Sequence, residues 1–167
     1  MEELLEVLKT EEEEYCKLLE LSKRKTPIIV SGKIEELQKI TDEEQILVDN
    51  INSVDKKRAE IIADIGNVLN QNPKELTIQK LAELMDKQPE EQKQLLELHS
   101  KLKNTLGNVQ TLNDQNKELV KQLMEMVEFD MNLIKSMKQA PETANYDRTA
   151  VNTGELFIGA SRFDAKQ

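Results

Sequence analysis

The chain has 167 residues, of which 33% are charged and 3% aromatic, and its net charge is −9. This length predicts one domain, and few aromatics, glycines and prolines argue against an all-β fold. The negative charge argues against a nucleic-acid or anionic-membrane ligand. No membrane span or secretory signal is recognisable, and the single Cys16 allows no internal disulfide, so we expect a cytoplasmic protein.

The first predicted helix covers residues 2–25. Its apolar residues recur at spacings of three and four, except across the four glutamates at 11–14. That run is interpreted as a solvated helix face rather than as an acidic docking patch. Pro27 disfavours helical geometry at Thr26, so the helix is expected to kink or restart before a turn at residues 31–32.

The second predicted helix runs from about residue 33 to residue 70, although residues 41–44 resemble a new N-cap that would interrupt it. Arg58 lies within its apolar seam. This arginine either pairs with a carboxylate on a facing helix or packs its stem while the guanidinium reaches water, and we favour the second interpretation. The seam alternates spacings of four and three: Leu47, Ile51, Val54, Arg58, Ile61, Ile65 and Val68.

Residues 77–85 predict a short helix capped by Thr77, and Pro89 suits the first position of the next helix. That last helix is predicted from about residue 90 to residue 137 or 138, which is roughly 70 Å at 1.5 Å per residue. A helix of this length needs neighbours to cover its apolar side. We expect the second helix to pack antiparallel to it and the first helix to form the third member of the bundle. Its seam passes through Leu95, His99, Leu102, Leu106, Val109, Asn113, Asn116, Val120, Leu123, Val127, Asp130, Ile134 and Met137.

The predicted fold is therefore all-α. We expect an elongated antiparallel helical hairpin or three-helix coiled-coil-like bundle over residues 1–140, followed by a flexible tail over residues 141–167. The tail shows no helical period, yet it contains three of the five aromatic residues: Tyr146, Phe157 and Phe163. Aromatic side chains bury a large area with few rotatable bonds, so the tail is interpreted as a docking segment.

No pattern in the sequence indicates catalysis, a cofactor or a metal. His99 is the single histidine and is interpreted as a buried or half-buried structural residue. One histidine and the distant Cys16 do not make a typical zinc site, and Cys16 is interpreted as a packed small side chain. The isolated glycines form no phosphate-binding loop. We therefore expect no enzymatic activity and no cofactor.

Two features of the last helix point to protein binding. Asn113 and Asn116 fall on its seam, where they either fix the register, the favoured interpretation, or offer hydrogen bonds to a partner. The apolar residues after them cover more than one stripe and include four of the six methionines. The second stripe either receives an amphipathic helix of a partner or is covered by the first helix. The apolar residues after Asn116 that form both stripes are Leu119, Val120, Leu123, Met124, Met126, Val127, Phe129, Met131, Leu133, Ile134 and Met137.

Together, these segments resemble the FlgN family of flagellar type III export chaperones. The most specific likeness is residues 112–120, Leu-Asn-Asp-Gln-Asn-Lys-Glu-Leu-Val, which open the terminal part of the last helix. The end of the chain is also similar to that of Gram-positive members. The other residues that carry the resemblance are Tyr15, Leu18, Leu19, Gly32 to Leu37, Glu43, Glu44, Arg58, Tyr146, Gly154 and Arg162 to Lys166.

The resemblance implies a cytoplasmic chaperone that binds the C-terminal helical region of the hook-filament junction proteins FlgK and FlgL. It would prevent their premature assembly and deliver them to a component of the flagellar export gate. The alternative is a structural coiled-coil tether or subunit that homo-oligomerises. Whether one or both clients bind, with what stoichiometry, and whether the free chain self-associates are left open by the sequence.

The resemblance also implies roles for individual residues. Asn113 and Asn116 would fix the helix or the bound chain. Tyr146 and Phe163 would be tail anchors, directed either to the client or to the export gate. The partner-facing apolar residues would be Leu119, Leu123, Met126, Val127 and Ile134.

Overall fold

The computed structural model describes residues 1–73, 75–85 and 88–139, and within them it contains four helices: α1 (Glu2–Val30), α2 (Ile34–Leu69), α3 (Ile78–Glu83) and α4 (Pro89–Gln139). These described residues contain no β-strand, so the predicted all-α class is confirmed. None of their helices is long and apolar enough to cross a membrane. The chain divides into two compact units, Met1–Glu128 and Phe129–Gln167. The predicted boundary at residue 140 and the tail after it lie outside the described residues.

In the first unit, α1 and α2 form an antiparallel pair. Glu11, near the start of α1, contacts Arg58 in the second half of α2. Lys25, near the end of α1, forms a half-buried ion pair with Glu44 in the first half of α2. The two pairs therefore fix the register of the helices at both ends of their contact.

Within the same unit, α4 runs parallel to α1. Leu4 in the first turns of α1 belongs to the same buried cluster as Leu95 near the start of α4. Ser22, late in α1, accepts a hydrogen bond from Asn116, which lies further along α4. Three long helices thus pack side by side, as the predicted three-helix bundle requires.

The main apolar core of the first unit lies where α3 joins the three long helices. The hydroxyl of Thr77 accepts a hydrogen bond from the Lys80 N–H at 3.2 Å, so the predicted cap of α3 is confirmed. This cap holds the short helix with its apolar side against the long helices. The buried cluster consists of Leu4, Leu8, Leu76, Ile78, Leu81, Ala82, Met85, Leu95 and Leu102.

The chain reverses sharply after α2. Asn70 ends this helix in the left-handed region with φ of 51°. The following residues fold back over Gly66, where an added Cβ would lie 3.0 Å from Cγ of Pro73 and 3.2 Å from the carbonyl oxygen of Gln71. Because a side chain at residue 66 would crowd this turn, the glycine lets the turn pack closely on α2.

The predicted restart of the first helix at Pro27 and the predicted interruption of the second helix at Thr41 are wrong. α1 continues through Pro27 to Val30, because a proline so close to the end removes only one backbone donor and α1 ends within one turn. α2 continues through Thr41, because that hydroxyl bonds back to the carbonyl oxygen of Leu37 at 2.8 Å instead of capping a new helix. The predicted turn after α1 is confirmed, with Gly32 at φ of 65°.

The predicted seam of α4 holds at every seventh residue in the first unit, where Leu95, Leu102 and Asn116 are buried. At the intervening position, Leu106 is exposed and the adjacent Thr105 is buried instead. The inward face of the helix therefore takes the residue three positions after Leu102 and not the one four positions after it. Val68, which was predicted to lie in the seam of α2, is also exposed and lies in the last turn of that helix.

Candidate protein-binding surface

Side-chain burial along α4 changes sharply after Leu123 in the first unit. Leu95 and Leu102 belong to the buried core, and Leu119 and Leu123 are half-buried. The next three large apolar side chains are exposed by 67%, 57% and 50%: Met124, Met126 and Val127. The helix therefore has an inward apolar side up to Leu123 and presents apolar side chains to solvent beyond it.

In the second unit, described residues 129–139 form the final turns of α4. Phe129, Leu133 and Met137 follow at spacings of four and lie on one face of the helix. Met131 and Ile134 lie on another face. All five are between 49% and 70% exposed. The two apolar faces predicted for this part of the chain are therefore both exposed.

We name these eight exposed side chains the α4 apolar segment. Clustered exposed apolar residues on a folded protein mark interaction sites, because covering them removes apolar area from water, and this applies to the part of the segment in each unit by itself. Methionine adds adaptability, since it is unbranched and polarisable. The segment consists of Met124, Met126 and Val127 in the first unit, and Phe129, Met131, Leu133, Ile134 and Met137 in the second.

Four charged residues lie between Met124 and Met137, and three of them are carboxylates. With the flanking turns included, residues 117–138 contain four lysines and four carboxylates. The flanking lysines thus offset the carboxylates of the segment, so net charge selects a partner only weakly and apolar complementarity would dominate recognition. The eight charged residues are Lys117, Glu118, Lys121, Glu125, Glu128, Asp130, Lys135 and Lys138.

Asn116 serves the fold of the first unit. It is only 3% exposed, and its Nδ2 donates to the carbonyl oxygen of Ser22 at 3.0 Å. Its Oδ1 accepts a hydrogen bond from the Thr26 hydroxyl at 2.7 Å. Both ends of the amide are thus engaged by α1, so of the two predicted roles this residue fixes the helix. Asn113 is exposed at the mouth of a cavity of about 270 Å³ between α1, α2 and α4, and it stays a predicted partner contact.

The predicted partner-facing residues fall into three groups. Leu119 and Leu123 are half-buried within the first unit, while Met126 and Val127 are exposed there. Ile134 is exposed in the second unit. Tyr146 and Phe163, the predicted tail anchors, lie outside the described residues.

A buried ion pair between α1 and α2 contradicts two predictions. Glu11, taken as part of a solvated run, is 2% exposed, and its Oε1 lies 3.2 Å from Nη1 of Arg58. Arg58 therefore pairs across helices, which was the less favoured interpretation. The sequence does contain a signal for this pair, since Glu11 continues the spacing of Leu4 and Leu8 and Arg58 lies in the seam of α2.

The environment of this pair perturbs two ionisable groups. Burial raises the pKa of Glu11, and the Arg58 charge only partly opposes that effect, while Asp55 raises the pKa further. Burial also raises the pKa of the Tyr15 hydroxyl, with a further increase from the charge of Glu11. Oε2 of Glu11 has no hydrogen-bond partner among the described residues, so within them the carboxylate is only partly compensated for its loss of water.

The residues with metal-binding or nucleophilic chemistry are dispersed in the described part of the chain. His99 is half-buried as predicted, beside Arg58 in a cavity of about 510 Å³. Cys16 is half-buried, and its thiol donates to Oε1 of Glu12 at 3.1 Å, which raises the pKa of the thiol. No group of three metal-ligating side chains occurs among the described residues.

A helical bundle with exposed apolar side chains on its longest helix is typical of proteins that bind other proteins through helix faces. The family model described as FlgN protein matches residues 1–154. The chain therefore belongs to the FlgN family, a family of flagellar export chaperones. Searches of curated proteins and of solved structures gave no match.

Proposed function

We propose that this FlgN-family protein is a cytoplasmic chaperone for the hook-filament junction proteins FlgK and FlgL. It binds their C-terminal helical region, prevents premature assembly and delivers them to the export gate. The observation that supports this proposal is the α4 apolar segment, whose eight large side chains are about half or more exposed. A client helix that buries its own apolar face in the filament would find a matching surface here before export.

The proposed contacts differ between the two units. In the first unit, Met126 and Val127 contact the client, and Leu119 and Leu123 are proposed to complete that contact from their half-buried positions. Ile134 contributes in the second unit. Burial of each apolar side chain contributes about 1.5–3 kcal/mol before the entropic cost of association, about 4–15 kcal/mol, is subtracted, so several of them must act together.

Three polar or aromatic residues complete the proposed site. Asn113 is exposed and donates hydrogen bonds to the bound chain. Tyr146 and Phe163 act as anchors toward the client or the export gate, as the family resemblance implies. Tyr146→Ala and Phe163→Ala distinguish the two alternatives. A residue that contacts the client lowers the affinity for the client peptide when replaced, whereas a residue that contacts the gate lowers the affinity for the gate component in a separate titration.

Calorimetric titration of the full-length chain with C-terminal peptides of FlgK and FlgL from the same organism tests the proposal. We expect 1:1 binding with sub-micromolar affinity, which corresponds to more than about 8 kcal/mol. Light scattering on the same sample reports the oligomeric state. A stable homo-oligomer that binds neither peptide would reject the chaperone and support the structural tether.

A further inference from the structure

A second apolar surface lies in the first unit, between the last turns of α2, the short helix α3 and the N-terminus. A groove of about 640 Å³ opens there, and no residue of the α4 apolar segment lines it. Its apolar lining includes Ile65, Val68, Leu69, Leu81, Leu84 and Met85.

The groove has a buried floor and an exposed rim. Leu81 is 1% exposed and Met85 8%, and both belong to the main core. On the rim, Val68 is 83% exposed, Leu84 54% and Leu69 42%. Apolar side chains so exposed beside an open apolar cavity provide a surface that another helix can cover.

The walls of the groove are held by local structure. The turn that packs Pro73 against Gly66 fixes the last turns of α2, and the Thr77 hydroxyl caps α3. A groove with fixed walls binds with less loss of conformational entropy than one that must form on binding. The shape is therefore present before any partner arrives.

The elements that form the groove are predominantly acidic. Asp64 lines the groove itself. The described residues that surround the groove are 1–5, 60–69, 75–85 and 88–91. Among them, the cations are the N-terminal ammonium and a single basic side chain, Lys80. The exposed carboxylates on these elements include Glu2, Glu3, Glu60, Asp64 and Glu83. This excess of negative charge attracts a positively charged partner and repels an acidic one.

We propose that the groove binds an amphipathic helix of a second protein partner, with an apolar face flanked by lysine and arginine. Position rather than charge distinguishes the groove from the α4 apolar segment, because three carboxylates and one lysine lie between Met124 and Met137. In the first unit, Met124, Met126 and Val127 do not line the groove, so a partner that contacts these three side chains occupies a different surface. The proposal does not depend on which client binds α4.

The test uses the full-length chain and a fluorescent helical peptide of about 16 residues, or roughly four turns, built from leucine and lysine. A matched peptide carries glutamate in place of lysine. We expect 1:1 binding of the lysine peptide and at least about tenfold weaker binding of the glutamate peptide. Val68→Gln and Leu84→Gln should each weaken the lysine peptide by about tenfold, while both exposed positions leave helical circular dichroism unchanged.

Met126→Gln on α4 is the matched control, since it removes an exposed apolar side chain outside the groove. It should leave binding of the lysine peptide unchanged. Loss of binding in Met126→Gln but not in Val68→Gln would overturn the proposal, as would equal affinity for the glutamate peptide or no binding at all. A homodimer that Val68→Gln dissociates would assign the groove to a second copy of the chain and would also overturn it.

Discussion

Glu11 and Arg58 join α1 to α2 through an ion pair of 3.2 Å between Oε1 and Nη1, in which the glutamate side chain is 3% exposed. Arg58 also contacts Asp55 on its own helix, so the guanidinium bridges two carboxylates. In the part of the chain that the structure describes, Oε2 of Glu11 has no hydrogen-bond partner. This arrangement aligns the two helices, but it leaves one oxygen of a charged group buried without compensation.

The buried carboxylate predicts a specific dependence of stability on pH. Burial raises the pKa of Glu11 in the folded state above its ordinary value of 4.5, so the folded chain binds a proton more readily than the unfolded chain. The stabilisation from protonated Glu11 is fully present below that ordinary value and is lost as pH rises through the folded pKa. We expect the unfolding free energy of the native chain, relative to Glu11→Gln, to fall with rising pH across this window.

Urea unfolding of both chains at a series of pH values measures this difference. Glutamine keeps an acceptor for Arg58 but does not titrate, so the contributions of the other carboxylates largely cancel between the two chains. If the relative stability of the native chain instead rises with pH, the attraction of Arg58 outweighs burial, and folding lowers the pKa of Glu11 rather than raising it.

The buried amide of Asn116 predicts a stability cost for its removal. Asn116→Ala eliminates the hydrogen bonds to Ser22 and Thr26 and should lower the unfolding free energy by about 1–3 kcal/mol. Asn113→Ala, at an exposed position of the same helix, should change it by less than about 0.5 kcal/mol. Denaturant titration followed by circular dichroism compares the two variants, and equal effects would show that the amide contacts contribute little.

A double-mutant cycle with Thr26→Val refines this prediction. Valine has nearly the shape of threonine and lacks the hydroxyl that donates to Asn116. We expect a coupling energy of about 0.5–1.5 kcal/mol between the two positions. Additive effects of the two substitutions would mean that this hydrogen bond does not contribute to stability.

Two glycines should respond in opposite directions to alanine. In Gly107→Ala, the new Cβ meets nothing within 4 Å, so the gain in helix propensity should stabilise the chain by about 0.5–1 kcal/mol. In Gly66→Ala, the new Cβ would crowd Pro73 and the backbone of Gln71, and we expect a net destabilisation of about 1 kcal/mol. Thermal unfolding midpoints measure both changes, and stabilisation at residue 66 would show that the turn yields easily.

Client binding should depend on exposed side chains of α4 and not on exposed apolar side chains in general. Met126→Asp and Val127→Asp should each weaken the FlgK or FlgL peptide by at least about tenfold, since each removes about 1.5 kcal/mol or more of apolar contact. Ile46→Asp is the matched control, because this residue of α2 is 63% exposed and lies away from the proposed site in the sequence. Equal weakening by all three variants would indicate a general electrostatic effect instead of a local contact.

Leu123→Asp gives a graded comparison. This residue is half-buried, so the substitution should weaken the client and also lower the unfolding free energy, whereas the exposed positions should affect binding alone. Circular dichroism at the temperature of the titration separates the two effects. Complete unfolding of Leu123→Asp would place this residue in the core and move the proposed contact surface toward Met126.

The periodicity of the apolar residues predicted α2, α4 and the side-by-side packing correctly, because those signals extend over many turns. Local signals were less reliable. Pro27 and Thr41 resemble helix breakers, but neighbouring turns and tertiary packing outweigh a single missing donor or a cap-like hydroxyl. A run of four glutamates predicts a solvated face by its charge, whereas the burial of Glu11 follows from its position three residues after Leu8 on the apolar side of α1.

The candidate surface was only partly accessible to sequence reasoning. The pattern showed an excess of apolar residues after Asn116, but it left open whether α1 covers them. For Met124, Met126 and Val127 in the first unit, the answer depends on tertiary packing, which no local pattern encodes. The groove at the end of α2 was not predicted, since it arises from a turn over Gly66 that brings Val68 and Leu84 to one cavity.

The contrast in burial along α4 has a consequence for how this chain can diverge. Leu95 and Leu102 fill the core, so their replacement costs folding stability, whereas Met124 and Met126 contact mainly solvent. Mutations at Met124 and Met126 therefore change the free energy of unfolding only slightly. Selection can therefore alter the exposed stretch of this helix while purifying selection preserves the packing of the buried stretch, and the two stretches evolve almost independently.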